Sequence, residues 1–375
     1  MIQIREISTK SELKQFVKFP FSLYKDNKYW VPPIISEEVE TFDKTINPVF
    51  DHAEARFFLA FRNDRIVGRV AAIINRIETE QQKISKMRFG WIDFIDDLEV
   101  SKALLDKVYE IGKAQKLEFI EGPLGFSNLD KVGVLTHGYD ELSTMITWYN
   151  HPYYVSHFEQ LGLTPSQKFV ETYFYFKDVD IDKYQRYAEI VKQRYQLRAI
   201  NFKTPREVMP YADEMFALFN TSYAKLSSFV PVTPRQIAYY KKKFIKFINP
   251  EYIKFIVDQN DKLVTFSITM PSFAKALQKA NGKLFPTGFL HLLRAKKHSK
   301  SSVFFLIGIL PEYQKKGVTA IVFDEFFKTY LKKGVEKLII TPELEDNRDI
   351  QLIWKNFNPV YYKKRCTMRK DIVQD

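Results

Sequence analysis

The chain runs through one order of elements twice. A short strand, a helix, a β-hairpin, another strand, a helix, a strand, a short helix and a closing strand can be traced in residues 1–180. The same plan returns in residues 191–375. Such a repeat restricts the fold to two like halves, each of strands covered by helices. The length of 375 residues fits, because one hydrophobic core seldom serves so long a chain.

The first copy opens with alternation over residues 2–7, and Ser8 or Thr9 then offers an N-cap for a helix over 10–19. Residues 56–62 and 65–75 are apolar strands joined by Asn63-Asp64, a hairpin signal. A strand over 89–95 precedes an amphipathic helix over 100–115 with Leu104, Leu105, Val108 and Ile111 on one face. A strand over 117–120 stops at Gly122-Pro123, a short helix covers 153–161, and residues 168–176 alternate as the closing strand. The second copy has a strand over 198–202 and a helix over 205–219 opened by Thr204. A hairpin follows over 253–257 and 263–269, then a buried strand over 303–310 and a helix over 320–332. A strand over 337–341, a short helix over 348–356 and a closing strand over 361–369 complete it. Residues 181–191 read as a polar, partly helical linker. The fold class is therefore α/β (α+β), with 1–180 and 191–375 as the two domains.

Composition excludes several classes. A single cysteine, Cys366, rules out an intramolecular disulfide and a cysteine metal cluster. His52, His137 and His151 are too scattered for a metal site, so none is expected. The longest strongly apolar run, 303–310, is far below the roughly 18 residues that span a bilayer. The N-terminus meets Glu6 before any apolar signal core forms, which points to the cytoplasm. Charge is unevenly divided: residues 1–180 hold 22 Lys and Arg against 27 Asp and Glu, leaving 35 against 18 for the rest. A balance of −5 in one half and +17 in the other suggests that the second half meets an anion.

The segment over 307–320 shows where. An apolar strand reaches Leu310-Pro311, a tight loop carries Gln314, Lys315, Lys316 and Gly317, and Val318, Thr319 and Ala320 start a helix almost at once. Loop amides and a helix N-terminus then converge on one spot, which suits a phosphate. An ordinary strand-to-helix connection with surface lysines would read the same way.

This segment resembles the acyl-CoA-binding stretch of the GNAT acyltransferase superfamily, a strand ending in Pro and then Gln/Arg-x-x-Gly-x-Gly/Ala. Gln314 and Gly317 match, and Thr319 stands where Gly or Ala is usual. The element order from about residue 195 to 375 agrees, with Asn347 opening the helix after the next strand. The resemblance implies two tandem GNAT-like acyl-CoA N-acyltransferase folds, each a mixed, mostly antiparallel sheet flanked by helices. It implies acetyl-CoA or another acyl-CoA as co-substrate and an amine on a small molecule or peptide as acceptor. The amide of Ile309 or Leu310 would polarise the thioester carbonyl, and the amides of residues 315–320 would hold the pyrophosphate. A carboxylate or water would take the amine proton, with Glu343 and Glu345 as candidates.

The general acid that the resemblance implies is a Tyr near the end of the short helix. Trp354 occupies that slot here and Phe158 the equivalent one in the first half. Tyr361 or Tyr362 on the next strand could deputise, though strand aromatics more often pack in a core. The first half lacks the phosphate loop, having Asp96, Asp97 and Glu99 at its helix mouth, so CoA is expected on the second half alone. Its loops over 29–33, 47–52, 122–139 and 148–154 are similar to those of uncharacterised bacterial proteins with two tandem GNAT-like domains. They would line an acceptor pocket or simply be pinned by their aromatics.

Two basic clusters, 241–247 and 294–300, read as solvated faces or as grips for an anion: the CoA 3′-phosphate, a carrier protein, a tRNA or an anionic lipid surface. Three functions stay open: a GNAT-type N-acyltransferase, taken as the leading one; a non-catalytic acyl-CoA sensor; and a tRNA-dependent aminoacyl transferase, for which the long coiled-coil insertion usual in that class is missing.

Overall fold

The computed structural model describes residues 1–226, 228–244 and 249–374. Strands β1 (Gln3–Glu6), β2 (Ala53–Arg62), β3 (Arg65–Asn75), β4 (Lys86–Phe94), β5 (Phe119–Gly122), β6 (Val134–His137) and β7 (Thr164–Tyr175) come from the first half. Strands β8 (Arg198–Asn201), β9 (Ile253–Val257), β10 (Leu263–Pro271), β11 (Ser301–Ile309), β12 (Lys337–Leu344) and β13 (Val360–Asp371) come from the second. The helices are α1 (Lys10–Leu23), α2 (Ile35–Thr41), α3 (Leu98–Ala114), α4 (Tyr153–Gln160) and α5 (Ile181–Tyr195), then α6 (Pro205–Val208), α7 (Ala212–Tyr223) and α8 (Pro234–Phe244). Four more, α9 (Ala274–Ala280), α10 (Gly288–His298), α11 (Thr319–Lys333) and α12 (Arg348–Trp354), follow among the described residues.

Local chemistry explains many of these boundaries. Thr9 caps α1 with its side chain while Glu12 reaches back to the Thr9 amide, a full capping box. Asn63 and Asp64 both hold positive φ, at 48° and 58°, the type I′ geometry whose twist suits a two-residue hairpin. The expected helix over 205–219 is broken instead into α6, a 3₁₀ turn and α7, because Pro210 supplies no N–H at the junction. The expected linker is a regular helix, α5, packed through Ala188 on the α11 side of the core.

The strands form a single thirteen-stranded sheet ordered β1-β2-β3-β4-β5-β13-β7-β12-β11-β10-β9-β8, with β6 also on β13. Each half contributes five strands in the same order, and its closing strand goes to the other half. β13 lies against β5, pairing Met368 with Gly122 and Asp371 with Phe119. β7 lies against β12, pairing Phe174 with Leu338. The two traded strands also pair with each other, antiparallel, at the centre.

Side chains follow the trade. Cys366, Met368 and Ile372 enter the core built by β2 to β5 and α3, while Phe174 and Phe176 enter the core under α11 and α5. Where β7 and β13 meet, the fully buried Arg365 binds Glu171 at 2.6 Å and donates to the carbonyls of Val132, Gly133 and Trp148. Removing one member of a buried pair leaves the other charged and unsolvated. Arg365→Met should lower the unfolding free energy by about 3–5 kcal/mol in urea denaturation, whereas a loss below about 1 kcal/mol would show the pair to be dispensable.

Candidate active site

In the second half the sheet opens between β11 and β12. Their parallel pairing runs from Ser301 and Lys337 to Phe304 and Ile340, and then stops. A bulge helps to cause this: Phe304 faces Thr269 and Leu306 faces Ile268, leaving Phe305 as the extra residue that bends the strand. Past the bulge, Leu310 N donates to Val264 O at 2.9 Å. Antiparallel alternation then turns the Ile309 and Ile307 amides away from β10 and into the opening. This narrows an expectation: the Leu310 amide is already committed to Val264, and Ile309 holds the amide that is left to polarise a carbonyl.

Glu343 stands at the opening on β12. Its carboxylate accepts from Trp354 Nε1 at 2.7 and 3.0 Å. Trp354 is itself clamped by Phe304 and Phe323, with ring centroids at 4.8 and 5.5 Å. Removal from water pushes the Glu343 carboxyl up to about 8, against the pull of the indole N–H. The Trp in the expected Tyr slot therefore works as an orienting donor for a carboxyl.

The end of α7 supplies two further groups. Ser222 Oγ donates to Ile309 O at 3.2 Å, and Gln314 Nε2 to the same oxygen at 3.4 Å. The Tyr223 hydroxyl is raised by burial and further by the Glu343 charge, with a backbone bond from Ile307 opposing both, so it stays protonated. Neither Ser222 nor Tyr223 was identified from sequence. They lie nearly 80 residues before β11, and nothing local marks a Ser-Tyr pair at a helix end.

The loop after β11 keeps its expected shape. Lys315 and Gly317 hold positive φ of 62° and 76°. A Cβ on Gly317 would come within 3.3 Å of Val191 Cγ2 on α5. Lys316 N and Ala320 N bond to Tyr313 O and Gly317 O inside the loop. Among the described residues no loop backbone bond is made by the amides of Lys315, Gly317, Val318 and Thr319, four of the six named from sequence. The Lys316 ammonium lies over the Tyr195 and Tyr313 rings, 5.3 and 4.9 Å from their centroids.

Other candidates are drawn elsewhere. Asn347 caps α12, accepting from Ile350 N at 3.3 Å. Tyr361 is exposed and donates to Gln351. Tyr362 is buried against Glu171 and Tyr173 on the sheet face away from Trp354, so it does not join Glu343. Its hydroxyl is raised well above its usual value by burial and the Glu171 charge. Glu345 is exposed and pairs with Lys364.

The matching opening in the first half is filled. β4 and β5 pair in parallel only over Lys86–Arg88 and 119–121. Ile95 N donates to Val67 O at 3.1 Å, the counterpart of Leu310 and Val264. The amide equivalent to Ile309 is that of Phe94, and it donates to the Tyr154 hydroxyl at 3.1 Å. Tyr153 bonds the Phe94 carbonyl at 2.6 Å, and a Cβ on Gly90 would fall 2.2 Å from Leu124 O. The space left between Trp91, Pro123, Trp148 and Tyr154 is a cavity of ≈ 20 Å³, room for about one water. Of the three acids expected to repel phosphate, Asp97 caps α3 and pairs with Arg62, Glu99 also pairs with Arg62, and Asp96 meets His157.

An open parallel pair in one half, its filled copy in the other, and a strand-loop-helix turn after the open strand are the arrangement of a tandem GNAT fold, and the chain has that fold. It superposes over its whole length on a tandem GNAT protein from the clavulanic acid biosynthesis pathway, TM-score 0.59 at 10% identity, covering 100% of both chains. It also matches a GCN5-related N-acetyltransferase from Sphaerobacter thermophilus, TM-score 0.54 at 9% identity, covering 100% and 98%.

Two curated relatives align along nearly all of it: Protein YghO of Escherichia coli, 26% identical over 98% of this chain and 95% of the relative, and a bacterial ceramide synthase of Caulobacter vibrioides, 25% identical over 96% and 95%. No family model matches. Among the described residues no helix is long and apolar enough to cross a membrane, and no group of three or more His, Cys, Asp or Glu is placed to hold a metal.

Proposed function

We propose that the protein is a cytoplasmic N-acyltransferase that moves an acyl group from CoA to an amine, with CoA held by the second half, 191–375, and the first half, 1–180, acting as a filled copy. The observation that carries this reading is the contrast between the two openings. The Phe94 amide is taken by Tyr154, whereas the Ile309 amide faces a gap beside Glu343. The bacterial ceramide synthase among its relatives suggests the substrates: a fatty acyl-CoA and the amine of a long-chain amino alcohol.

In the reaction, the pantetheine arm would pair with the free edge at Ile309, and the loop amides with Gly317 would hold the pyrophosphate. The Ile309 amide would donate to the thioester oxygen as it gains charge. Glu343 would take the proton from the attacking amine as the C–N bond forms. As the C–S bond breaks, Tyr223 would give its proton to the thiolate. Trp354 would keep the Glu343 carboxylate aimed at the opening.

Thermal melting with CoA, acetyl-CoA and palmitoyl-CoA tests the binding half of this reading. Ligand at 100 times its dissociation constant should stabilise by about 2.7 kcal/mol. Gly317→Val should abolish the shift, because it strains a positive φ and fills the cradle against Val191. An unchanged shift in that variant would remove the loop from the site. Stabilisation without turnover on long-chain or small amines would favour a sensor, a reading that the Trp in the acid slot also suits.

A further inference from the structure

We propose that the α9–α10 hairpin docks the protein on an anionic lipid surface. The hairpin joins β10 to β11. The basic cluster over 294–300 falls largely in the last turn of α10.

One face of the hairpin is committed to the protein. Ala274, Leu277 and Ala280 pack on Val31 and Ile34, Gln278 Nε2 donates to Lys28 O and Trp30 O at 2.9 Å, and Gly282 O accepts from Ile35 N. The opposite face carries large apolar side chains with no cover: Phe285 is 75% exposed, Leu290 53% and Leu293 52%. Leu290, Leu293 and Lys297 recur at helical spacing, opposite the inward Gly288 and Leu292.

Charge names the occupant. No acidic residue occurs from 262 to 311, and the same hairpin exposes Lys275, Lys279, Lys283, Arg294 and Lys297. Leu293 shares an open surface depression with Arg294, Lys297 and His298, an apolar side chain beside basic ones. Apolar side chains exposed on the same hairpin as Lys and Arg match a lipid interface, where phosphates meet the cations and acyl chains meet Phe and Leu. A nucleic acid would satisfy the cations and leave Phe285, Leu290 and Leu293 in water. The hairpin is too short to span and is pinned to the sheet, so it would lie on the membrane.

Sedimentation of the whole protein with vesicles tests this without donor or acceptor, and so separately from acyl transfer. Binding to three-to-one phosphatidylcholine–phosphatidylglycerol vesicles should exceed binding to pure phosphatidylcholine by at least about tenfold at physiological salt. The triple variant F285S/L290S/L293S should lose at least about tenfold of the anionic binding while melting as the wild type does, since all three side chains are exposed. Three results would overturn the proposal. One is no binding of the wild type to anionic vesicles. Another is triple-variant binding equal to wild type. The third is binding to RNA or an acidic carrier protein that replaces vesicle binding.

Discussion

Glu343→Gln should lower kcat by about 10²–10⁴-fold and erase the rise in kcat/KM that the wild type shows as pH climbs through about 8. A base must be ionised to accept a proton, and burial holds Glu343 protonated until that pH, so activity should increase from neutral to mildly alkaline conditions. Gln keeps the shape and can still accept from Trp354, so a loss of rate would report the missing proton acceptor. Stability should move the opposite way. The folded carboxyl is raised above its ordinary 4.5 and so binds a proton more tightly than the unfolded one. That contribution is complete below about 4.5 and is lost as pH rises through about 8. The Gln variant, which cannot ionise, should therefore melt above the wild type at pH 9 and alongside it at pH 4. An unchanged rate and pH profile in the variant would place the base elsewhere.

Deleting residues 360–375 should leave no cooperatively folded protein. The deletion removes Cys366, Met368 and Ile372 from the first core and unpairs the edges of β5 and β7. It also strands Glu171 without Arg365. Each large buried side chain is worth about 2–5 kcal/mol, and the broken pair about 3–5 more. Together these reach the typical 5–15 kcal/mol stability of a whole domain. For the same reason, residues 1–180 expressed alone should give no sharp thermal transition by circular dichroism. A soluble 1–180 fragment that melts cooperatively would show that the traded strand is not needed.

What could be read from the sequence was mostly local. Thr9 as a helix cap, Asn63-Asp64 as a hairpin turn and the alternation along the strands act within a few residues, and the fold uses each in that way. The trade of closing strands could not be read, because β7 and β13 carry the same alternation whichever sheet receives them. Glu343 was visible as an acid near a strand end, but its raised proton affinity comes from burial in the folded core, which the Trp354 bond only partly offsets. Tyr223 and Ser222 reach the site only through tertiary packing of α7 on β11. Of the basic cluster over 241–247, residues 245–247 lie outside the described residues.

The exchanged strands also set an order of events during synthesis. The first half's sheet closes on residues 368–371, translated long after the rest of that sheet. At about 5–20 residues per second, roughly 10–40 s pass between translation of residue 180 and of residue 371. Throughout that interval β5 offers an unpaired edge, open to strands of other nascent chains. Yield of the native protein should therefore depend on elongation rate and on whatever shields that edge until residues 368–371 emerge.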